Sequence, residues 1–230
     1  MLIKFSTHRI AIIITFICIT FLTYYHWDKS RKIKKNCKVF KFQAKESYLA
    51  HLLLDNLQGI EIGGSLHNPF CLNTINVDFT NQSTIYKEAE KRFSGGNYLN
   101  VDIVASGDKL PFANETYDFV ISSHSIEHFY DPIKTIEEWL RVIKKGGYIF
   151  MIIPHKERTF DKPKNRTTLK ELILRHRNPD PNFVDDHGHH TVWITEDVME
   201  LCRNRNWKVA AMLDTDDKVA NGFTIVIQKE

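Results

Sequence analysis

Four places in the chain gather residue types that can do chemistry. The first is Glu61-Ile62-Gly63-Gly64-Ser65, an acid running into a Gly-Gly turn. Glycines there let the backbone approach a ligand and leave amide donors free, although an ordinary tight turn has the same look. The second is Asp78, 15 residues beyond Gly63. It closes an apolar run, and its carboxylate can accept both hydroxyls of a ribose. The third is Ser106-Gly107-Asp108 with the later run Ser122-Ser123-His124-Ser125-Ile126-Glu127-His128. The fourth is His155 with the cluster Asp185-Asp186-His187-Gly188-His189-His190. Histidine titrates near neutrality, which suits proton transfer. Histidine with aspartate can also ligate a divalent metal, but H-x-H-H follows no ligand spacing of a specific kind. The expectation is therefore no metal, with His187, His189 and His190 in a solvated loop or against a substrate. No G-x-G-x-x-G and no G-x-x-x-x-G-K-[ST] occurs, so nucleotide phosphates are not the expected ligand.

The elements that must position these residues are short apolar runs alternating with helical patterns. Residues 59–63, 73–78, 99–105, 117–122, 147–154, 208–213 and 223–228 read as buried strands. Between the fourth and fifth, Asp131 caps a helix opened by Pro132, with Ile133, Ile136, Leu140 and Ile143 as its apolar stripe. Gly146 and Gly147 are expected to stop it after Lys144 and Lys145. A second helix is expected over 195–206, capped by Thr195, with Val198, Leu201 and Cys202 inward. Strand–helix–strand order makes a βαβ unit, so the fold class is α/β: a doubly wound, Rossmann-like, seven-stranded and mostly parallel sheet. In such sheets ligands sit beyond the carboxyl ends of the strands, where the first three groups and His155 fall.

The 230 residues suit one globular domain after an N-terminal segment, and a net charge of +3 gives no strongly basic face for nucleic acid. Four cysteines without C-x-x-C spacing make no disulfide framework and suggest a reducing compartment. Residues 1–9 form a tail, and 10–27 read as a single transmembrane helix. Its 16 uncharged residues from Ile10 to Tyr25 are followed by Trp27 at an aromatic belt. Nothing in YYHWD offers a signal-peptide cleavage site. Residues 28–40 are a basic juxtamembrane linker, and 41–230 the folded domain. Two basic residues precede the apolar run and six follow it within 26–38, which places the domain on the cytoplasmic side. Sequons at Asn81, Asn114 and Asn165 argue the other way and weigh less, because such triplets arise often by chance.

Taken in order, the glycine turn, Asp78, the run from Ser106 to Phe112, Tyr117-Asp118-Phe119-Val120, the run from Ser122 to Pro132 and Arg141 to Gly147 resemble one family. They resemble the class I S-adenosylmethionine-dependent methyltransferases, of the type 11-like kind, over about residues 56–155. The resemblance implies S-adenosylmethionine as cofactor. It implies Glu61, Gly63 and Gly64 at the methionine end, Asp78 on the ribose, and Asp108 near the adenine amine, with Ser106 where an acid often stands. Ser122 joins them as a cofactor contact. It further implies His128, Glu127 and His155 as catalytic candidates, with His128 first as general base and His124 behind them. Residues 156–193 then read as a substrate lid, whose basic residues suit an anionic acceptor or a solvated face. The expected activity is membrane-tethered methylation of a small-molecule, glycan or lipid-linked acceptor. The alternatives are a catalytically silent module that binds the cofactor or a protein, and a nicotinamide oxidoreductase, against which the missing glycine fingerprint counts.

Overall fold

The computed structural model describes residues 46–64, 70–93, 100–180, 183 and 188–230. The apolar segment 10–27, the linker and His187 lie outside them. Among the described residues no helix is long and apolar enough to cross a membrane.

Seven strands form one sheet: β1 Gln58–Ile62, β2 Asn73–Asp78, β3 Ile103–Val104, β4 Tyr117–Ser123, β5 Ile143–Pro154, β6 Lys208–Leu213 and β7 Gly222–Gln228. Their order is β3-β2-β1-β4-β5-β7-β6. The first five are parallel, and β7 runs antiparallel to both β5 and β6. The chain order therefore reverses between β1 and β4, where Ile62 pairs with Ser122. A crevice opens beyond the strand ends at such a point.

Both faces of the sheet are buried, and period-2 alternation sorts their side chains. On β4, Val120 faces one cluster with Ile149, Met151 and Ile225, covered by Trp139 and Leu201. Phe119 and Ile121 face the other, with Phe150, Ile152, Ala50 and Leu54. The helices are α1 Tyr48–Leu54, α2 Ile85–Phe93, α3 Pro132–Val142, α4 Leu169–Arg177 and α5 Thr195–Asn204, and all but α2 place buried residues in these two clusters.

Helix α3 begins as expected, with the Asp131 carboxylate accepting the Lys134 amide at 3.0 Å and Pro132 in the first turn. Its end differs. The helix stops at Val142, and Ile143, fully buried, already pairs with Tyr117 as the first residue of β5. The apolar side chain gains more from the sheet core than from another helical turn. Gly146, at φ +77°, then carries the β5 irregularity rather than the helix stop. Trp139 takes the buried place assigned to Leu140, and its indole donates to the Gly107 carbonyl at 2.9 Å. At α5 the cap position is Ile194, whose amide is taken by the Asp197 carboxylate at 2.9 Å, while the Thr195 hydroxyl donates to Asp214. The third strand is shorter than its apolar run, with only Ile103 and Val104 pairing on β2. Cys71 is disulfide-bonded, which removes the support that cysteine usage lent to a reducing compartment.

Candidate active site

The β1 strand ends in a left-handed turn at Gly63, φ +64°. A Cβ there would stand 2.6 Å from the Ser125 hydroxyl, so no side chain fits without displacing it. Gly64 is held from below by Asn76. The Asn76 side-chain carbonyl accepts the Gly64 amide at 3.0 Å, and its amide donates to the Gly64 carbonyl at 3.0 Å. A Cβ on Gly64 would come within 2.4 Å of that same carbonyl oxygen. The turn is thus a backbone cradle, fixed by a buried amide on the neighbouring strand.

Glu61 is buried beneath this turn and accepts the Thr74 hydroxyl at 3.2 Å. Its charge also acts on Lys218, a buried lysine that desolvation drives below its ordinary value against the pull of nearby acids. Asp78 ends β2, with Lys87 at 3.8 Å and the Thr80 amide at 3.4 Å. Asp108 carries an ion pair from Lys134 at 2.7 Å and accepts the Ser106 hydroxyl. Burial pushes the Asp108 carboxyl up, but those two partners outweigh it and hold the group below the ordinary carboxylate range.

A cleft of about 830 Å³ runs from this turn across the strand ends. Gly63, Asp78 and Asp108 line one part of it, and His124, Glu127, His128 and His189 another. Such a volume suits a cofactor together with an acceptor. Four expected residues stay out of the lining. Glu61 and Gly64 support the turn from behind. Ser122, fully buried, faces the opposite side of β4 from Ser123, which does line the cleft; the one-residue alternation of a strand decides between them. His155 also lies outside the lining. Its Nδ1 accepts the Glu157 amide at 3.2 Å, its ring stands edge-on to Phe223, and burial lowers its pKa.

The far wall is the densest chemistry in the domain. Glu127, 1% exposed, sits in a short 3₁₀ turn after β4. Neither of its carboxylate oxygens has a hydrogen-bond partner among the described residues. Burial, with the Asp161 charge adding to it, pushes this carboxyl up to about 8. His128 Nε2 stands 3.8 Å and His189 Nε2 3.7 Å from the same oxygen, Oε1. The His128 Nδ1 contacts the Gly188 carbonyl at 2.9 Å, and the His189 Nδ1 contacts Asp161 at 2.6 Å. Asp161 would be raised by its burial, but Lys164 and His189 hold it below the ordinary range. The strand end supporting this wall bends through His124 at φ +52°, a left-handed conformation that side chains adopt at a cost.

The described parts of the 156–193 segment are docked on the rest of the domain. Leu172 on α4 joins the core, Trp193 bridges to His155, and Thr167 and Val192 exchange hydrogen bonds. The amides of His190 and Thr191 both donate to the Glu127 carbonyl, at 2.8 and 3.2 Å. That anchor is what brings His189 over the cleft, while Thr159 and Phe160 line it nearby. The sequence gives no sign of Asp161 or Asn76 as site residues. Ser125 is legible only as one of a run of serines after β4, although its hydroxyl donates to the Ile62 carbonyl across the switch point.

The profile of the family described as "Methyltransferase domain" matches residues 63–151. An uncharacterised protein of Methanocaldococcus jannaschii is 36% identical over 154 residues, which is 66% of this chain and 64% of that one. The mitochondrial 2-methoxy-6-polyprenyl-1,4-benzoquinol methylase of Leishmania donovani is 36% identical over 67 residues, 29% of this chain and 23% of its own. Demethylmenaquinone methyltransferase of Protochlamydia amoebophila is 26% identical over 99 residues, 42% of this chain and 41% of its own. The chain thus spans less than two thirds of each of these relatives. Among solved structures, a Thermotoga maritima protein described as a possible histamine N-methyltransferase aligns at a TM-score of 0.47 and 19% identity, covering 80% of this chain and 90% of that one.

Proposed function

We propose that the chain, whose residues 63–151 match a methyltransferase-domain profile, is an S-adenosylmethionine-dependent methyltransferase that acts on a small-molecule, glycan or lipid-linked acceptor. The observation that carries this reading is one continuous cleft. It joins the Gly63 cradle and Asp78 to the Glu127–His128–His189 wall.

The residues present fit the cofactor. The Gly63 and Gly64 positions leave no room for a Cβ, and the Asp78 carboxylate stands at the strand end where a ribose diol would meet it. When bound, S-adenosylmethionine supplies a methyl carbon on a positively charged sulfur, which an acceptor lone pair displaces in line. Gly63 and Asp78 hold one end of the reaction, and the insertion covers the other. Orientation and exclusion of water are together worth roughly 7–11 kcal/mol of barrier in well-aligned reactions. The far wall is where the acceptor hydroxyl meets basic groups, and its proton leaves on that side. His155, outside the cleft lining, caps the turn after β5.

Two relatives are named for quinone or quinol acceptors that are lipid-soluble, which supports a substrate met at a membrane. The uncharged run in residues 10–27 supports a tether, and its flanking charges favour a cytoplasmic domain. The Cys71 disulfide is the observation against that side. Thiol alkylation of protein taken directly from cells tests it: a free Cys71 supports the cytoplasmic side and a bonded one overturns it.

Calorimetric titration tests the function. S-adenosylmethionine is expected to bind and NAD is not. Silence with S-adenosylmethionine in folded protein would favour the silent interaction module.

A further inference from the structure

The far wall brings one oxygen of Glu127 together with the Nε2 atoms of His128 and His189. A carbonyl oxygen only accepts hydrogen bonds, so the His128 Nδ1 that meets Gly188 at 2.9 Å carries the proton. The His189 Nδ1 stands 2.6 Å from the Asp161 carboxylate, the distance at which a ring N–H donates to an acid. With Nδ1 of each ring engaged by a backbone carbonyl or a carboxylate, each Nε2 is turned toward Oε1 of Glu127, a carboxylate oxygen without a hydrogen-bond partner among the described residues. Separations of 3.7 and 3.8 Å are too long for hydrogen bonds. Bonds of about 2.0–2.2 Å to a tetrahedral ion set ligand atoms about 3.4 Å apart, so small side-chain rotations bring these atoms onto a shared ion. All three ligand atoms lie within 4.8 Å of one another.

We infer that Glu127, His128 and His189 form a binding site for a divalent transition-metal ion, with its open positions facing the cleft. The outer contacts support this. A metal-binding histidine commonly donates its other N–H to a backbone carbonyl or a carboxylate, and Gly188 and Asp161 provide one of each. Two imidazoles and a carboxylate suit zinc or iron-type ions better than calcium or magnesium. This replaces the metal-free expectation drawn from H-x-H-H spacing. His190 is no ligand here, since its ring packs edge-on against Phe183. The site rests on the methyl-transfer reading for its role: an ion there holds the acceptor hydroxyl and acidifies it. The proton departs to water, the oxygen lone pair bonds the methyl carbon, and the C–S electron pair returns to sulfur, leaving a neutral thioether.

Cobalt(II) is the probe, titrated into the chelator-treated full chain and followed by visible absorption, with S-adenosylmethionine affinity measured in parallel. One equivalent is expected to bind with ligand-field bands. Glu127→Gln and His189→Ala each weaken it at least about tenfold, and Asp161→Asn weakens it about 10–100-fold through His189 alone. Equal Co²⁺ binding by a His128→Ala/His189→Ala double variant, or no ligand-field bands at all, overturns the site. S-adenosylmethionine binding without Co²⁺ binding overturns the site and leaves methyl transfer standing. Co²⁺ binding without S-adenosylmethionine binding supports the site and overturns its role.

Discussion

At one end of the cleft, Gly64 is fixed by Asn76 from 12 residues away, on the adjacent strand. At the other, His128 finds its partner Gly188 across 60 residues, and His189 finds Asp161 across 28. The first end is a property of neighbouring strands. The second exists only once the 156–193 segment has docked on the body. On the proposed reading, the cradle that would take the cofactor belongs to the fold, whereas the acceptor wall joins the turn after β4 to residues of the insertion. Changes at the two ends should therefore separate cofactor affinity from turnover, and the largest effect is expected at the wall. Glu127→Gln should lower methyl transfer by about 10²–10⁴-fold, the range for losing an acid–base or polarising group, with S-adenosylmethionine affinity within about threefold. A fall in affinity of the same size as the fall in turnover would merge the two ends into one.

The cradle gives the next effect. Asp78→Ala removes a carboxylate that a ribose diol would use, and hydrogen bonds to charged groups are worth about 1.5–3 kcal/mol, or about 10–100-fold in affinity. Calorimetry reads it, and an unchanged dissociation constant removes Asp78 from the cofactor site. Asn76→Ala acts on the same end through structure. It strips partners from both the amide and the carbonyl of Gly64 and should cost about 1–3 kcal/mol of stability, read as a lowered denaturation midpoint. If the midpoint holds while S-adenosylmethionine affinity falls, Asn76 shapes the ligand site without stabilising the fold.

The difference between the ends also decides what the sequence could disclose. Asp78 was legible because it ends a period-2 apolar run, and strand ends are where α/β sheets hold ligands. Ser122 and Ser123 were not separable, since one residue of register turns a side chain to the other face, and the extent of β4 is set by its pairing with β5. The end of α3 was misplaced for a related reason: glycines at 146 and 147 outweigh Ile143 on paper, but the Tyr117 pairing wins in the sheet. Asp161 had no local signal at all. Its importance is defined by His189, whose own place depends on two backbone amides reaching the Glu127 carbonyl. Long-range docking of this kind leaves no periodicity to read.

A smaller effect lies away from both ends, in the loop before β7. Asp216 is buried, which raises its carboxyl, yet the amides of Val219, Ala220, Gly222 and Lys218 together hold it below the ordinary value. A depressed carboxyl stabilises the fold above its unfolded pKa of about 3.9, and that stability is lost as pH falls through the lower folded value. The denaturation midpoint should drop over that acid window, and Asp216→Asn should flatten the drop. An acid profile identical to the parent's would mean that other carboxylates govern it.

The smallest effect tests whether the cradle end is complete. Asp108 lines the cleft and is paired with Lys134, an exposed lysine at 2.7 Å. An exposed ion pair is worth about 0–1 kcal/mol, so removing Lys134 can change S-adenosylmethionine affinity by no more than about fivefold. The direction carries the information. If Asp108 accepts the adenine amine, Lys134→Ala frees its carboxylate and binding tightens slightly, whereas Asp108→Asn, which loses the charged acceptor, weakens it. If Asp108 serves only to hold Lys134 and the Ser106 hydroxyl, both substitutions leave affinity where it was. Opposite signs from two neighbouring charges would extend the cofactor site as far as the loop after β3. Two null results would confine it to the ends of β1 and β2.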